Sequence, residues 1–353
     1  MRLKQRLISI AMPVLAILAA LVIVAVMIAG VGESPLEAYK ILLEGAVGDW
    51  RSLTDTLVKT VPLVFTGLSF AFAAKCNIWN IGAEGQLYMG AVASVSVGIY
   101  CTGLPMFLHL PLALLAGALA GGLWAAIPAW LKVRFKINEV VSTIMLNYTA
   151  ILIVSALVYG PMIEDPYKSP QTCKVLSTAR LPVLFDGTKL HAGILIAILA
   201  CVVYHLIFRH MLFGYQVSAV GKNREAARFS GISVDRSIYM SMVIAGIFGG
   251  LAGAIEMLGT NGLLIIGFSP EYGSDGIAVA LLGANHPVGM LLSGVLLGAM
   301  KSGGNAVQMF TGVPSSVVDL IRALVIVFVL INVLGRVAVQ AKRDKEKGAA
   351  IHG

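Results

Sequence analysis

The chain has 353 residues, of which 58% are hydrophobic and only 12% charged, with a mean hydropathy of +0.87. Such a composition excludes an ordinary soluble domain and requires a polytopic membrane protein, because apolar stretches long enough to cross a bilayer recur along the whole length. The formal net charge of +8 does not indicate nucleic acid, since most of the Lys and Arg fall on one side of the assigned spans and most of the acids on the other. That bias places the basic side in the cytoplasm.

Arg2, Lys4 and Arg6 precede an apolar run from Leu7 to Gly30, too long for a signal-peptide core and without an obvious cleavage site. It is expected to be an uncleaved first span with a cytoplasmic N-terminus. Val31 to Ser52 is an acidic, partly amphipathic outer segment, and Leu53 to Ala74 returns inward.

The stretch Cys76 to Gln86 follows. Glu84 lies between two glycines with Asn77, Asn80 and Gln86 around it, at a depth where isolated polar groups cost several kcal/mol unless they are satisfied. Asn80 can cap the helix that follows, and Glu84 suits its first turn. Two readings stand side by side: a tight helix-to-helix turn, or a direct role in a transport path. The third span runs to about Tyr100 and the fourth from about Leu110 to Leu131, with Gly117 and Gly121 permitting close helix packing. Lys132, Arg134 and Lys136 mark a short cytoplasmic turn.

The fifth span opens at Asn138. Glu139, Thr143 and Asn147 share one face at i, i+4 and i+8. A lipid-facing helix would not carry that stripe, so it is either a hydrogen-bond seam between helices or a wall of the path. Gly160 to His191 is the longest outer loop and holds Lys174. Cys101 and Cys173 both fall in outer loops, where a disulfide and two free thiols remain open; no cysteine spacing suits a metal. A sixth span, Ala192 to Phe208, leads back to the longest cytoplasmic loop, 209–237, which holds Lys222. There Asn223 can cap a short helix, Glu225 suits its first turn, Ala226 and Phe229 give it a small apolar face, and Gly231 can end it.

The seventh span, Tyr239 to Leu258, is glycine-rich and ends near Glu256. After it, Gly276 to Ala284 and Val288 to Ser302 flank Asn285-His286-Pro287, either as two spans meeting at a turn or as one interrupted span. A cytoplasmic basic tail after Arg336 requires an even number of spans. The expectation is an all-α bundle of about ten (eight or nine as alternatives), with Leu263 to Ala284 running inward, Val288 to Ser302 outward and Ser316 to Leu334 inward. Both termini are then cytoplasmic. Residues 1–34 form the tail and first span, 35–335 the transmembrane domain, and 336–353 the tail.

Catalytic signatures are missing. The string from Gly294 to Ser302 has Met300 where a P-loop needs glycine, and neither a zinc helix nor a nucleophile elbow is present. The sequence is therefore not expected to hydrolyse ATP or to be an enzyme.

Three stretches resemble one family: Asn80-Ile81-Gly82-Ala83-Glu84-Gly85-Gln86, the run from Asn138 to Tyr148, and the run from Gly221 to Ile232. The stretch Gly276 to Gly283 followed by Pro287 also fits. All are similar to permease subunits of bacterial ABC importers in the branched-chain amino acid and simple sugar group, closest to the nucleoside branch that works with basic-membrane-lipoprotein-type binding proteins. The resemblance implies a bacterial plasma-membrane permease for nucleosides or simple sugars. Its partners would be an ATP-binding subunit, a second and often paralogous permease, and an external substrate-binding lipoprotein. No cofactor is expected in this chain, ATP being held by the partner subunit. Glu84, Gln86, Glu139, Thr143 and Asn147 become candidates for the path, and Asn80, Gly82 and Gly85 for the motif's structure. By position, Asn223, Glu225, Ala226, Ala227, Phe229 and Gly231 correspond to the segment that docks into the ATPase. The competing expectation is an ion-coupled secondary transporter, which needs ionisable groups such as Glu84, Glu139 and Glu256 free to hold the driving ion.

Overall fold

The computed structural model describes residues 22–165, 169–314, 317–320, 323, 324 and 327. The first expected span up to residue 21, most of the last expected span and the basic tail lie outside the described residues. The chain divides into two compact units, Leu53–Gly298 and the pair Met1–Ser52 with Ala299–Gly353.

Twelve α-helices are described, in order α1 Val22–Gly30, α2 Pro35–Val47, α3 Trp50–Ala74, α4 Ala83–Tyr100, α5 Met106–Phe135, α6 Glu139–Tyr159, α7 Gly193–His210, α8 Leu212–Lys222, α9 Arg224–Phe229, α10 Val234–Ile255, α11 Tyr272–Leu282 and α12 Pro287–Phe310. Among the described residues there is no strand, only two isolated β-bridges, Gln171 to Ile265 and Val183 to His191. Five helices are long and apolar enough to cross a membrane, or six if the bent pair α1 and α2 counts as one span. The fold is thus all-helical and multi-pass. Leu115, Leu119, Leu123, Met145, Leu152, Leu195, Leu199 and Leu206 on α5, α6 and α7 are exposed. An apolar surface that extensive is tolerated where lipid, not water, covers it.

In the larger unit, α3 is the buried helix. Its polar side chains are turned to other helices: Thr66 Oγ1 donates to the Tyr272 carbonyl at 2.9 Å and Thr60 Oγ1 to the Gly294 carbonyl at 3.4 Å. The Phe72 carbonyl accepts from Ser241 Oγ of α10 at 3.2 Å. Beside it, α4, α5 and α10 approach backbone to backbone. A Cβ on Gly250 of α10 would collide with the Gly117 carbonyl of α5, and one on Gly90 of α4 with Gly250 itself. Small residues at such crossings let dispersion replace the hydrophobic effect, which is absent between helices in lipid.

Three expectations need correction. The expected inward span Leu263 to Ala284 is helical only over Tyr272–Leu282. Before it, a π-helical turn Glu256–Asn261 ends α10 and an irregular stretch lies against the loop 160–191, where Thr172 N donates to the Leu264 carbonyl and Val175 N to the Gly262 carbonyl. Pairing with protein is what permits irregular backbone near the membrane. The expected cytoplasmic loop 209–237 is mostly helix, with the single extended residues Met211 and Asn223 separating α7, α8 and α9. Val288 to Ser302 lies within the longer α12. The open question at residues 283–287 resolves as two helices joined by a tight turn, in which Asn285 N donates to the Ala280 carbonyl. All four cysteines are free thiols.

The close crossing predicts a steep cost for added volume. Gly250→Val should destabilise the fold by about 3 kcal/mol, seen as loss of the monodisperse peak in detergent, whereas Leu123→Val on the exposed face of α5 should elute as the unmodified chain does.

Candidate functional site

The stretch from Asn80 to Gln86 starts α4, and its first N–H groups have no partner within the helix. Asn80 was expected to cap them. Its Oδ1 instead accepts from Gly82 N at 3.1 Å, in the turn before the helix, and from Gln86 Nε2 at 2.9 Å. Asn80 Nδ2 donates to Ser69 Oγ of α3 at 3.0 Å, and Ser69 Oγ to Gln86 Oε1 at 3.1 Å. Ser69, Asn80 and Gln86 are all buried and close into one ring of hydrogen bonds, which offsets the cost of placing three polar side chains there.

The cap of α4 comes from another helix. Asn147 Oδ1 of α6 accepts from Gly85 N at 2.8 Å, and Asn147 Nδ2 donates to the Ile81 carbonyl at 2.9 Å. Both halves of its carboxamide are engaged with backbone, so on this face the polar stripe is a seam between α6 and α4. Thr143 joins it by packing, since a Cβ on Gly82 would lie 3.1 Å from the Thr143 Cβ. Its hydroxyl donates to the Glu139 carbonyl one turn back, at 2.6 Å.

Glu84 repeats the arrangement in the other direction. Its Oε2 accepts from Gly273 N at 2.6 Å, in the first turn of α11. A carboxylate there meets an orphan donor and the positive end of the helix dipole together. Contact this close requires glycine, because a Cβ at residue 273 would collide with the Glu84 backbone. At the far end of the stripe, Glu139 Oε2 is 2.6 Å from Lys132 Nζ, both side chains largely buried. Lys132 is in the last turn of α5 and Glu139 in the first of α6, so the short link 136–138 brings them together. The third acid, Glu256, lies on the π-helical turn, and its Oε2 accepts from Thr260 Oγ1 at 3.5 Å. Each acid that the ion-coupled reading requires to be free has a partner, and that reading is not favoured.

Thr260 links this turn to the loop 160–191. His191 Nε2 is 3.3 Å from Thr260 Oγ1, while His191 Nδ1 accepts from Gly193 N at 3.1 Å. The neutral ring therefore carries its proton on Nε2. Burial pushes the imidazole down to about 4, because the charged form loses its hydration.

Helix α9 is capped at both ends. Asn223 Oδ1 accepts from Ala226 N at 3.1 Å. At the other end Gly231, at φ +78°, lets Ile232 N reach the Ala227 carbonyl and its own N–H reach the Arg228 carbonyl, both at 3.0 Å. This is a Schellman closure, for which the left-handed residue is usually glycine. Ala227 is buried, whereas Ala226 is exposed and Phe229 is 90% exposed. Glu225 and Arg228 make a long, solvated ion pair at 3.9 Å. The residues that spacing alone missed are Ser69, Lys132 and Gly273, each lying on a different element from the group it completes. Among the described residues, no cluster of ligating side chains suits a metal ion.

A bundle of apolar helices, tied by polar caps and presenting a short, stiff helix beside it, describes a membrane transport component. The chain belongs to the family described as branched-chain amino acid transport system / permease component, which matches residues 52–330. It is 40% identical to the guanosine ABC transporter permease protein NupP of Bacillus subtilis, over 92% of this chain and 94% of the relative. The glucose ABC transporter permease of Haloferax volcanii is 35% identical, over 90% of this chain and 86% of its own. The nucleoside ABC transporter permease protein NupB of Lactococcus lactis is 31% identical, over 92% and 91%. No solved structure matches the chain.

Two predictions follow from these contacts. Asn147→Leu strands the Gly85 N–H and the Ile81 carbonyl and should cost about 2–3 kcal/mol, read as a lower melting temperature in detergent; Tyr148→Phe, exposed on the next position, should leave it unchanged. The His191 effect has a fixed sign. The unfolded chain takes up the imidazole proton near pH 6.5 and the folded chain only near pH 4, so stability falls as pH drops through that window. The loss should reach at most about 3 kcal/mol, and a His191→Asn chain should show a flatter stability–pH profile between those limits.

Proposed function

We propose that this chain is the membrane-spanning permease subunit of an ABC importer that carries nucleosides across a bacterial plasma membrane, with simple sugars as the second substrate class. The names of the relatives support both classes, two being guanosine or nucleoside permeases and one a glucose permease. In this reading ATP is bound by a separate subunit. A second, paralogous permease completes the path, and an external lipoprotein delivers the solute. The arrangement uses about ten spans with both termini inside, with 35–335 as the transmembrane domain, Lys222 cytoplasmic and Lys174 external. Glu84, Gln86, Glu139, Thr143 and Asn147 would shape the path by fixing the ends of the helices that border it.

The observation that carries the reading is Phe229. A six-residue helix is unstable in water by itself, yet α9 is held by a cap, a Schellman closure and one buried alanine, and leaves its aromatic side chain 90% exposed. That is a cost without return in a free chain and a ready anchor for a groove on a partner. Docking there couples closure of the ATP-binding subunits to motion of the bundle, and transport proceeds by alternating access.

Phe229→Ser and Ala226→Glu are the tests. Each should lower retention of the ATP-binding subunit on purified permease by roughly tenfold or more and abolish ATP-driven uptake, with the permease still monodisperse. Normal retention together with normal uptake in both variants would overturn the assignment of α9.

A further inference from the structure

Helix α2 divides into three lengthwise sectors when its residues are set at the 100° step of an α-helix. One packs against its own unit: Ala38 and Ala46 are buried, and a Cβ on Gly45 would collide with that of Ala306 in α12. The second carries Leu36, Leu43 and Val47, which are 82%, 62% and 57% exposed. The third carries Lys40, Glu44 and Glu37, all exposed, with Lys40 Nζ 3.8 Å from Glu44 Oε1. The apolar and charged sectors run side by side along the whole helix and do not mix. Trp50, just beyond the C-terminal end, is 55% exposed, and α2 meets α1 at a bend of 112°.

Three environments are possible for the outer half. Water alone gives no reason for an apolar sector. A protein partner needs roughly 800 Å² of its own surface covered, which two leucines and a valine beside a continuous charged row do not supply. A bilayer has no such threshold, because the chain is already anchored by its spans, and each large apolar side chain gains about 1.5–3 kcal/mol on leaving water. A lipid boundary also imposes this division, with hydrocarbon along one edge of the helix and headgroups along the next. Insertion of α2 as part of a bent span would carry Glu37, Lys40 and Glu44 into hydrocarbon, at a cost of a few kcal/mol each. The bend turns α2 close to perpendicular to α1, and a tryptophan at one end is the usual interfacial anchor.

We propose that α2 is an interfacial helix lying along the bilayer surface, with Leu36, Leu43, Val47 and Trp50 set among the acyl chains and Glu37, Lys40 and Glu44 in the headgroup layer. The test places nitroxide labels on single cysteines at positions 36, 43, 47, 37 and 44, in a full chain with Cys101 and Cys173 replaced, reconstituted in nanodiscs. Labels at 36, 43 and 47 should collide severalfold more with oxygen than with a water-soluble nickel chelate, and labels at 37 and 44 should show the reverse. Equal access of nickel to both sets places the face in water and overturns the proposal. Exclusion of both reagents at 36, 43 and 47 means that protein covers it, and high oxygen access at 37 and 44 means a re-entrant segment; either result overturns it as well. A reading independent of the labels comes from Trp50→Phe, which should reduce the quenching of tryptophan fluorescence by brominated lipid. Unchanged quenching would also count against an embedded Trp50.

Discussion

A helix that begins inside a membrane bundle exposes N–H groups that water cannot reach, and the arrangement of the larger unit follows from how those donors are met. At α4 the answer is supplied from elsewhere in the chain: Asn147 of α6 takes the Gly85 N–H, and the ring of Ser69, Asn80 and Gln86 closes the preceding turn. At α11 the Glu84 carboxylate of α4 takes the Gly273 N–H. Both of these helix starts are completed by a side chain of a neighbour, so α3, α4, α6 and α11 are specified together.

The glycine crossings serve a different purpose. Between α4, α5 and α10 what matters is how near the backbones come, and the indole N–H of Trp124 on α5 is buried there without a hydrogen-bond partner among the described residues. Dispersion then supplies the attraction that water would supply in a soluble protein. Polar caps give this unit its register, and close packing gives it cohesion. The outer faces of α5, α6 and α7 are left to lipid. At the end of α10, the π-helical turn and the loop above it are joined through His191 and Thr260.

Much of this was legible in the residues. Composition and the charge bias gave the class, and Asn223 and Gly231 marked both ends of α9 because capping is local and has a small vocabulary. The stripe Glu139, Thr143, Asn147 was legible as a polar face, but periodicity states that a face is special without stating what it touches, and so it left seam and path open. Asn80 looked like a cap by proximity; the acceptor that won lies far away in sequence, where spacing carries no information. The span expected from Leu263 failed because hydropathy records apolar content and not backbone hydrogen bonding, and its first part is irregular chain paired with the loop 160–191. The loop 209–237 was underestimated as structure, because α8 has only three buried residues to signal it.

The trans-caps have a kinematic consequence. A hydrogen bond near 2.8 Å is largely lost if its partners slide by about 1 Å, so α4 cannot shear past α6, nor α11 past α4, without stranding buried donors. These helices form a linkage with no internal degree of freedom at their joints. Asn223 ties α8 to α9, its N–H reaching the Ala219 carbonyl and its Oδ1 accepting from Ala226 N, and a Cβ on Gly221 of α8 would collide with the Lys75 carbonyl just beyond α3. A displacement applied at α9 therefore passes through α8 directly to the end of α3, and the capped helices beyond receive it as one stiff body.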